Sequence, residues 1–246
     1  MARVTFRIWR GDATGGEFRD YATDAAEGMV ALDVLHKIQA EQAGDLALRW
    51  NCKAGKCGSC SAEVNGIPRL LCMTRLATLP LDAPVKIEPL QAFPRIRDLV
   101  TDVSWNYRVK QAIKPFKPRP PDAPDGTWRM AQADVDRVQE FRKCIECFLC
   151  QDVCHVLRDH QKHAAFVGPR FLVHAAALEM HPLDVEDRLP QLREEHGVGL
   201  CNITKCCTRV CPEEIHITDN AIIPLKERVV DRFYDPLRRV LRVLGV

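Results

Sequence analysis

The chain has 246 residues, of which 46% are hydrophobic and 28% charged, with a formal net charge of +2. That length suits one large domain or two small ones, and the near-neutral balance gives no global electrostatic case for binding nucleic acid. No apolar run approaches the roughly 18 residues that a membrane span needs, and the start M-A-R-V-T-F-R-I-W-R-G has no apolar signal core, so neither a spanning segment nor a Sec leader is expected.

Val4, Phe6 and Ile8 alternate with Thr5, Arg7 and Trp9, which predicts a half-buried strand over 4–10. Gly11, Asp12, Gly15 and Gly16 make a turn, and Glu17 to Tyr21 returns as the hairpin partner. Met29, Val30, Leu32, Val34, Leu35 and Ile38 recur at helical spacing, and Gly44 ends that helix. Leu46 and Leu48 predict a short strand entering the loop C-K-A-G-K-C-G-S-C. With Cys72 further on, Cys52, Cys57 and Cys60 have the plant-type 2Fe-2S spacing. Gly55 and Gly58 let the backbone come close to sulfide at positive φ, so that N–H groups face an anionic cluster. Arg49, Lys53 and Lys56 add positive charge, which an ordinary solvated loop would also carry. Ala62 to Val64, the Asn65–Gly66 turn, a return over Ile67 to Met73 and Val85 to Leu90 complete the strands, with Pro68 marking an edge. Strands wrapped on one helix predict an α+β ferredoxin-like (β-grasp) domain over residues 1–97.

Prolines 115, 118, 120, 121 and 124 then predict an extended arm over 113–126. Helical spacing resumes at Val135, Val138 and Phe141, over Phe171 to Met180, and over Leu225 to Val230 with Pro224 at the start. Residues 98–246 are therefore predicted as an all-α, bacterial-ferredoxin-like domain with cysteine-bearing loops between its helices.

Those loops carry two runs. Cys144, Cys147, Cys150 and Cys154 read C-x2-C-x2-C-x3-C, the bacterial ferredoxin spacing. Cys201, Thr204, Cys207 and Cys211 repeat it with a threonine in second place, and Pro212 follows. In two-cluster ferredoxins the fourth Cys of one run serves the other run's cluster. Cys144, Cys147, Cys150 and Cys211 then form a four-thiolate set suited to 4Fe-4S. Cys154, Cys201 and Cys207 form a set of three, because a hydroxyl is a hard, poor ligand at a soft site, and 3Fe-4S is the expected occupant. A disulfide scaffold is not expected, because such scaffolds are short and secreted, and thiolates at this density without an export signal point to a reducing compartment. Structural zinc is the rival occupant, although it normally uses two separated C-x2-C pairs. Cys206 is left over, and is expected to point elsewhere or to pack as a small hydrophobe. Five histidines, His155, His160, His163, His174 and His181, follow Cys154. Most suit the surface or the core, and His155, next to a ligand of the third set, suits proton transfer. The stretch from Asp235 to Leu244 is basic and amphipathic, fitting a membrane surface, a membrane subunit or the protein's own core.

The segment R-W-N-C-K-A-G-K-C-G-S-C-S-A-E-V-N-G-I-P-R-L-L-C resembles the 2Fe-2S motif of the iron–sulfur subunits of succinate dehydrogenases and fumarate reductases. K-C-I-E-C-F-L-C-Q-D-V-C and C-N-I-T-K-C-C-T-R-V-C-P resemble that family's 4Fe-4S and 3Fe-4S motifs, and F-P-R-I-R-D-L-V-T-D-V-S resembles the segment joining its domains. The resemblance implies an electron-transfer subunit of a succinate:quinone oxidoreductase, or of a quinol:fumarate reductase running in reverse, with no substrate-converting residue on this chain. It implies a flavoprotein subunit holding FAD, transmembrane anchor subunits (with haem where the anchor carries it) and a quinone at their interface. It further implies a peripheral place on the cytoplasmic face of a bacterial plasma membrane. His155, Asp159 and Asn202 stand where ubiquinone-linked members usually have Pro, Trp and His. C-I-E-C and Phe166 to Gly168 look more like the menaquinone-linked branch. His155, Asn202 and Thr204 are the residues expected near the quinone. A soluble iron–sulfur subunit of another oxidoreductase is the remaining reading, and Thr204 argues against it, since those subunits usually carry two 4Fe-4S clusters.

Overall fold

Strand β1 (Ala2–Asp12) buries Val4, Phe6 and Ile8 on one face, as its period-two pattern requires. A computed structural model describes residues 2–236 of the chain. Most of the basic stretch predicted from Asp235 to Leu244 lies outside the described residues. The described chain divides into two compact units: one of residues up to Trp105 with Ile145–Val153 and Val210–Pro212, the other of Asn106–Cys144, Cys154–Arg209 and the residues from Glu213 onward.

In the first unit β1 pairs antiparallel with β2 (Gly15–Ala25), Asp12 opposite Gly15 at the turn. It also pairs parallel with β5 (Val85–Glu88) and touches β6 (Arg95–Arg97), which pairs with β7 (Val100–Thr101). β3 (Ser61–Val64) lies between β4 (Ile67–Leu70) and β5. β4 ends the sheet order β4-β3-β5-β1-β6-β7, so Pro68, which has no N–H to give, sits on an edge strand. Helix α1 (Ala31–Glu41) buries Ala31, Leu32, Val34, Leu35 and Ile38. Each such aliphatic side chain contributes roughly 1.5–3 kcal/mol by leaving water.

The strand expected at Leu46 and Leu48 does not form. Its peptide groups are taken by other partners: Leu46 N donates to the Ala43 carbonyl at 2.9 Å, and Gln39 Nε2 donates to the Leu46 carbonyl at 2.8 Å. Ala47 N donates to Asp98 Oδ2 at 2.8 Å, and Leu99 N to the Ala47 carbonyl at 3.2 Å. With both of its main-chain groups satisfied, Ala47 has nothing left to offer a ladder.

The longer helices of the second unit are α2 (Ser104–Ala112, whose first two residues belong to the first unit), α3 (Gln132–Gln139), α6 (Pro169–Glu179), α7 (Leu189–Glu194) and α9 (Ile223–Phe233). One-turn helices interrupt the loops: α4 (Leu149–Asp152) in the first unit, α5 (His155–Arg158) and α8 (Cys206–Arg209) in the second. Cys150 and Cys207 therefore lie on helical turns, where connecting loop was expected. The proline-rich stretch is irregular yet anchored: Arg119 N donates to the Leu183 carbonyl at 2.8 Å and Val185 N to the Lys117 carbonyl at 3.0 Å. Before α9 the chain makes a π-helical turn over Ile217–Ile222. Pro224 lacks an N–H and its ring would crowd the carbonyl four residues back, so a wider turn relieves it there.

Candidate metal centres

The first four cysteines are neighbours within the first unit. Cys52 is exposed, Cys57 half-buried, and Cys60 and Cys72 buried. Backbone N–H groups turn towards the sulfurs: Ala54 N and Lys56 N lie 3.4 and 3.3 Å from Cys52 Sγ, and Cys72 N lies 3.5 Å from Cys60 Sγ. Positive φ at Lys53 (54°), Gly55 (69°) and Gly58 (68°) aims those amides inward. Burial pushes the Cys60 thiol up to about 12, beside Cys72 and Cys57. Burial also acts upward on Cys57, but hydrogen bonds from Ser59 and Cys52 outweigh it and bring that thiol down to about 6. The positive charge predicted nearby is partly spent locally, since Lys53 Nζ sits 4.7 Å over the Trp50 ring.

The sheet braces this loop from its N-terminal side. Asp98, held at φ 47°, accepts from Arg10 Nε at 3.1 Å, Gly11 N at 3.0 Å and Ala47 N at 2.8 Å. Arg10 is 8% and Asp98 2% exposed. The guanidinium's charge is held more strongly than usual: burial opposes it, and Asp45, Asp98 and Tyr21 more than offset that cost.

Cys147, Cys150 and Cys211 belong to the first unit, and Cys144 to the second. In the first unit Cys147 lies directly against the loop of the first four cysteines. A Cβ added at Gly58 would stand 2.6 Å from Cys147 Cα, and Ser61 Oγ lies 2.9 Å from the carbonyls of both Gly58 and Cys147. Glu146 (φ 56°) and Phe148 (φ 61°) are left-handed.

The third run repeats that backbone. Ile203 (φ 62°) and Lys205 (φ 59°) stand two and four residues after Cys201, as Glu146 and Phe148 do after Cys144. A left-handed isoleucine costs about 1–2 kcal/mol, so tertiary structure imposes this shape. The run keeps the cluster-loop geometry although Thr204 has replaced a sulfur. Cys154 and Cys207 are buried and Cys201 half-buried, all in the second unit. Burial pushes the Cys154 thiol up to about 11 against the N–H groups of Leu157 and Val156, with Cys206 and Cys201 near enough to act on its charge. Cys207 Sγ lies 3.5 Å from Thr218 Oγ1, itself 3.1 Å from Thr208 Oγ1.

Cys206 does not point elsewhere. It is half-buried, 3.2 Å from Thr204 Oγ1 and within hydrogen-bond reach of Cys207 and His155. The Cys207 contact leads in bringing this thiol down to about 5, against burial. The one-turn length of α8 is the feature that places both adjacent cysteines at this site, and spacing alone does not reveal it. His155 is half-buried and meets His160 edge-on at 6.0 Å, while Asn202 and Thr204 are exposed. His181 stands apart, edge-on to Phe116 at 5.1 Å. Among the described residues no three His, Cys, Asp or Glu side chains converge on a point suiting a single ion. The donors gathered here are soft thiols framed by inward-turned amides, which fits polynuclear iron–sulfur groups.

A mixed sheet on one helix, followed by helices interleaved with two ferredoxin-type loops, defines a multi-cluster iron–sulfur electron-transfer protein. The family model described as "2Fe-2S iron-sulfur cluster binding domain" matches residues 5–107, and that described as "4Fe-4S dicluster domain" matches residues 140–215. The fumarate reductase iron-sulfur subunit of Mycobacterium tuberculosis is 33% identical over 202 residues, 80% of each chain. The succinate dehydrogenase iron-sulfur subunit of Paracoccus denitrificans is 29% identical over 233 residues, 92% of this chain and 88% of that one. A chain of the solved Mycobacterium smegmatis Sdh1 complex in the apo form superposes with a TM-score of 0.91 at 60% identity, covering 96% of this chain and 98% of that chain. The chain belongs to the family of iron–sulfur subunits of succinate dehydrogenase and fumarate reductase, components of oxidoreductase complexes. The expected pairing of a 2Fe-2S ferredoxin domain with a helical dicluster domain is thereby borne out. No helix among the described residues is long and apolar enough to cross a membrane.

Proposed function

We propose that this chain is the electron-relay subunit of a succinate:quinone oxidoreductase, with a 2Fe-2S domain over 1–97 and a helical domain over 98–246. Cys52, Cys57, Cys60 and Cys72 hold 2Fe-2S; Cys144, Cys147, Cys150 and Cys211 hold 4Fe-4S; Cys154, Cys201 and Cys207 hold 3Fe-4S. The observation that carries this reading is the left-handed pair Ile203 and Lys205, which keeps a ferredoxin loop in a run that lacks its second thiol. Bound clusters supply one-electron transfer, which lets a two-electron flavin couple to a lipid-soluble carrier. The chain's own residues hold the sulfurs, direct amide hydrogens at them and exclude water by burial. The backbone approach of Gly58 to Cys147 supports a short step between the first and second centres.

FAD on a flavoprotein subunit delivers the electrons, and a transmembrane anchor presents the quinone, with the assembly on the cytoplasmic face of a bacterial plasma membrane. His155, Asn202 and Thr204 lie towards the quinone, which we read as menaquinone from C-I-E-C and the stretch Phe166 to Gly168, the residues at 155, 159 and 202 departing from the ubiquinone-linked pattern. The 60% likeness to a chain of an Sdh1 complex favours succinate oxidation, and the fumarate reductase relative supports the reverse direction as the second reading.

EPR and iron and sulfide analysis of the complex purified from membranes tests the assignment: three distinct centres are expected, the three-iron one EPR-active when oxidised and the other two after reduction by dithionite, and a colourless zinc protein would overturn it. Replacing Thr204 with Cys supplies the missing thiol. The three-iron signal should then give way to a four-iron cluster of lower potential, and its persistence unchanged would reject the ligand set. Potentiometric EPR with the native quinone identified separates the two directions, and faster reduction of ubiquinone analogues would reject menaquinone.

A further inference from the structure

Four thiols, not three, surround the third site. The Cys206 sulfur lies 3.2 Å from the Thr204 hydroxyl, which stands where this type of run has its second thiol. Cys207 and His155 are within hydrogen-bond reach of Cys206, and Cys154 is close enough for their charges to interact. Lys205, at φ 59°, turns the chain sharply just before α8, so that Cys206 and Cys207 both serve this loop. Thr204 and Lys205 are exposed and Cys206 is half-exposed, so among the described residues no part of this chain's own fold covers the corner beside Thr204. Hydroxyl and thiol here are alternative donors, one hard and one soft, side by side.

We propose that Cys206 is a conditional fourth ligand: in the presence of ferrous iron its sulfur closes the open corner and makes the third centre convertible between three-iron and four-iron forms. This rests on the reading that Cys154, Cys201 and Cys207 hold 3Fe-4S. The step balances. One electron, from the relay itself or from dithionite, brings the 3Fe-4S core to charge zero. A ferrous ion would then add to that core, giving a 4Fe-4S core of charge +2 with no further electron. The Cys206 thiol loses its proton to solvent as the S–Fe bond forms. In reverse, an oxidant such as ferricyanide takes one electron, ferrous iron leaves, the core returns to 3Fe-4S of charge +1, and Cys206 regains a proton and its Thr204 contact.

The test uses the purified complex under anaerobic conditions, reduced with dithionite, given ferrous ion and desalted. Bound iron and the EPR signal of the reoxidised three-iron centre are then measured, with Mössbauer spectra of added iron-57. The three-iron signal should fall while bound iron rises by one per chain, and ferricyanide should restore the signal. Cys206→Ser and Cys206→Ala should show the normal three-iron signal before treatment, which certifies folding, and about tenfold less iron uptake or lower still. Thr204→Ala should keep the uptake. A parent complex that shows the three-iron signal but takes up no iron, or Cys206 variants that take up as much as the parent, would overturn the proposal while leaving the ligand assignment standing. Absence of any three-iron signal in the untreated parent would instead overturn that assignment, and this inference with it.

Discussion

The loop around Cys52 and the loop around Cys201, each proposed to hold a cluster, are shaped by different means. The first takes three of its four sulfurs from a single short stretch and leans on a sheet, with Gly55 and Gly58 supplying positive φ. Its supporting ion pair, Arg10 with Asp98, is buried. The other draws on two distant segments, Cys154 and Cys201–Cys207, and puts isoleucine and lysine where glycine would be comfortable. Its nearby ion pair, Lys205 with Asp219 at 2.7 Å, is exposed and worth at most about 1 kcal/mol. Where the scaffold is a sheet, glycine and a buried charge fix the loop. Where it is a set of short helices, packing must force the backbone into shape.

The sharpest way to break this comparison is Cys154→Ala. On the proposed ligand sets, the two-segment site should lose its three-iron EPR signal entirely while the 2Fe-2S signal stays, because the cysteines proposed for the latter lie in the other unit. Equal loss of both signals would mean that the loops are not independently held. Next in size is Asp98→Ala, which leaves Arg10 buried beside the half-satisfying Asp45 and orphans the amides of Gly11 and Ala47. Removing one partner of a buried pair costs about 3–5 kcal/mol. The apparent melting temperature of the purified complex should drop, with the 2Fe-2S signal failing first. Asp98→Asn, which keeps an acceptor oxygen, should cost less.

The sequence made some of this legible and hid the rest for definite reasons. Cysteine spacing identified the runs because thiolate geometry around iron is rigid, and the alternation Val4, Phe6, Ile8 marked β1 because one face must be dry. Pro68 located the sheet edge for want of an N–H. The strand expected at Leu46 and Leu48 failed because a side chain far along the chain, Asp98, claims the Ala47 amide, and no local pattern carries that fact. Glu146, Phe148, Ile203 and Lys205 have no propensity for left-handed backbone, so tertiary packing overrides what their side chains favour. Cys206 looked surplus because the spacing rule counts one sulfur per turn of the motif, whereas the single turn of α8 puts two at one site.

Gly58→Ala comes next and tests whether the first loop's glycine is needed for φ or for room. The added Cβ would meet the Cys147 backbone at 2.6 Å, which cannot yield as a flexible side chain could. Strain and overlap together should cost about 2–4 kcal/mol. Gly66→Ala is the control, since its φ of 76° is equally left-handed but nothing lies within 4 Å of the new Cβ. It should cost about 1–2 kcal/mol by φ alone. If both variants lower the melting temperature and the 2Fe-2S content equally, close backbone approach is not what holds that loop.

The smallest effect concerns a buried imidazole. Both units bury an ion pair, Arg10 with Asp98 in the first and Arg188 with Asp184 at 2.9 Å in the second, but the second also buries His196, 2% exposed, with neither ring nitrogen hydrogen-bonded. Burial lowers this imidazole from 6.5 to about 4, only partly countered by Glu195. Between those values the unfolded segment binds a proton that the folded one refuses, so stability is full above about pH 6.5 and falls as pH drops towards 4. From pH 7 to pH 5 the loss is about 2 kcal/mol, or roughly 30-fold in the opening equilibrium. Hydrogen exchange of residues 189–200 in the purified complex, corrected for intrinsic pH dependence, should show that increase. His196→Leu, which keeps an apolar core and removes the proton acceptor, should flatten it, while the strands around Arg10 should show little change over the same range. An unaltered pH response in the leucine variant would move the acid sensitivity of this unit to another group.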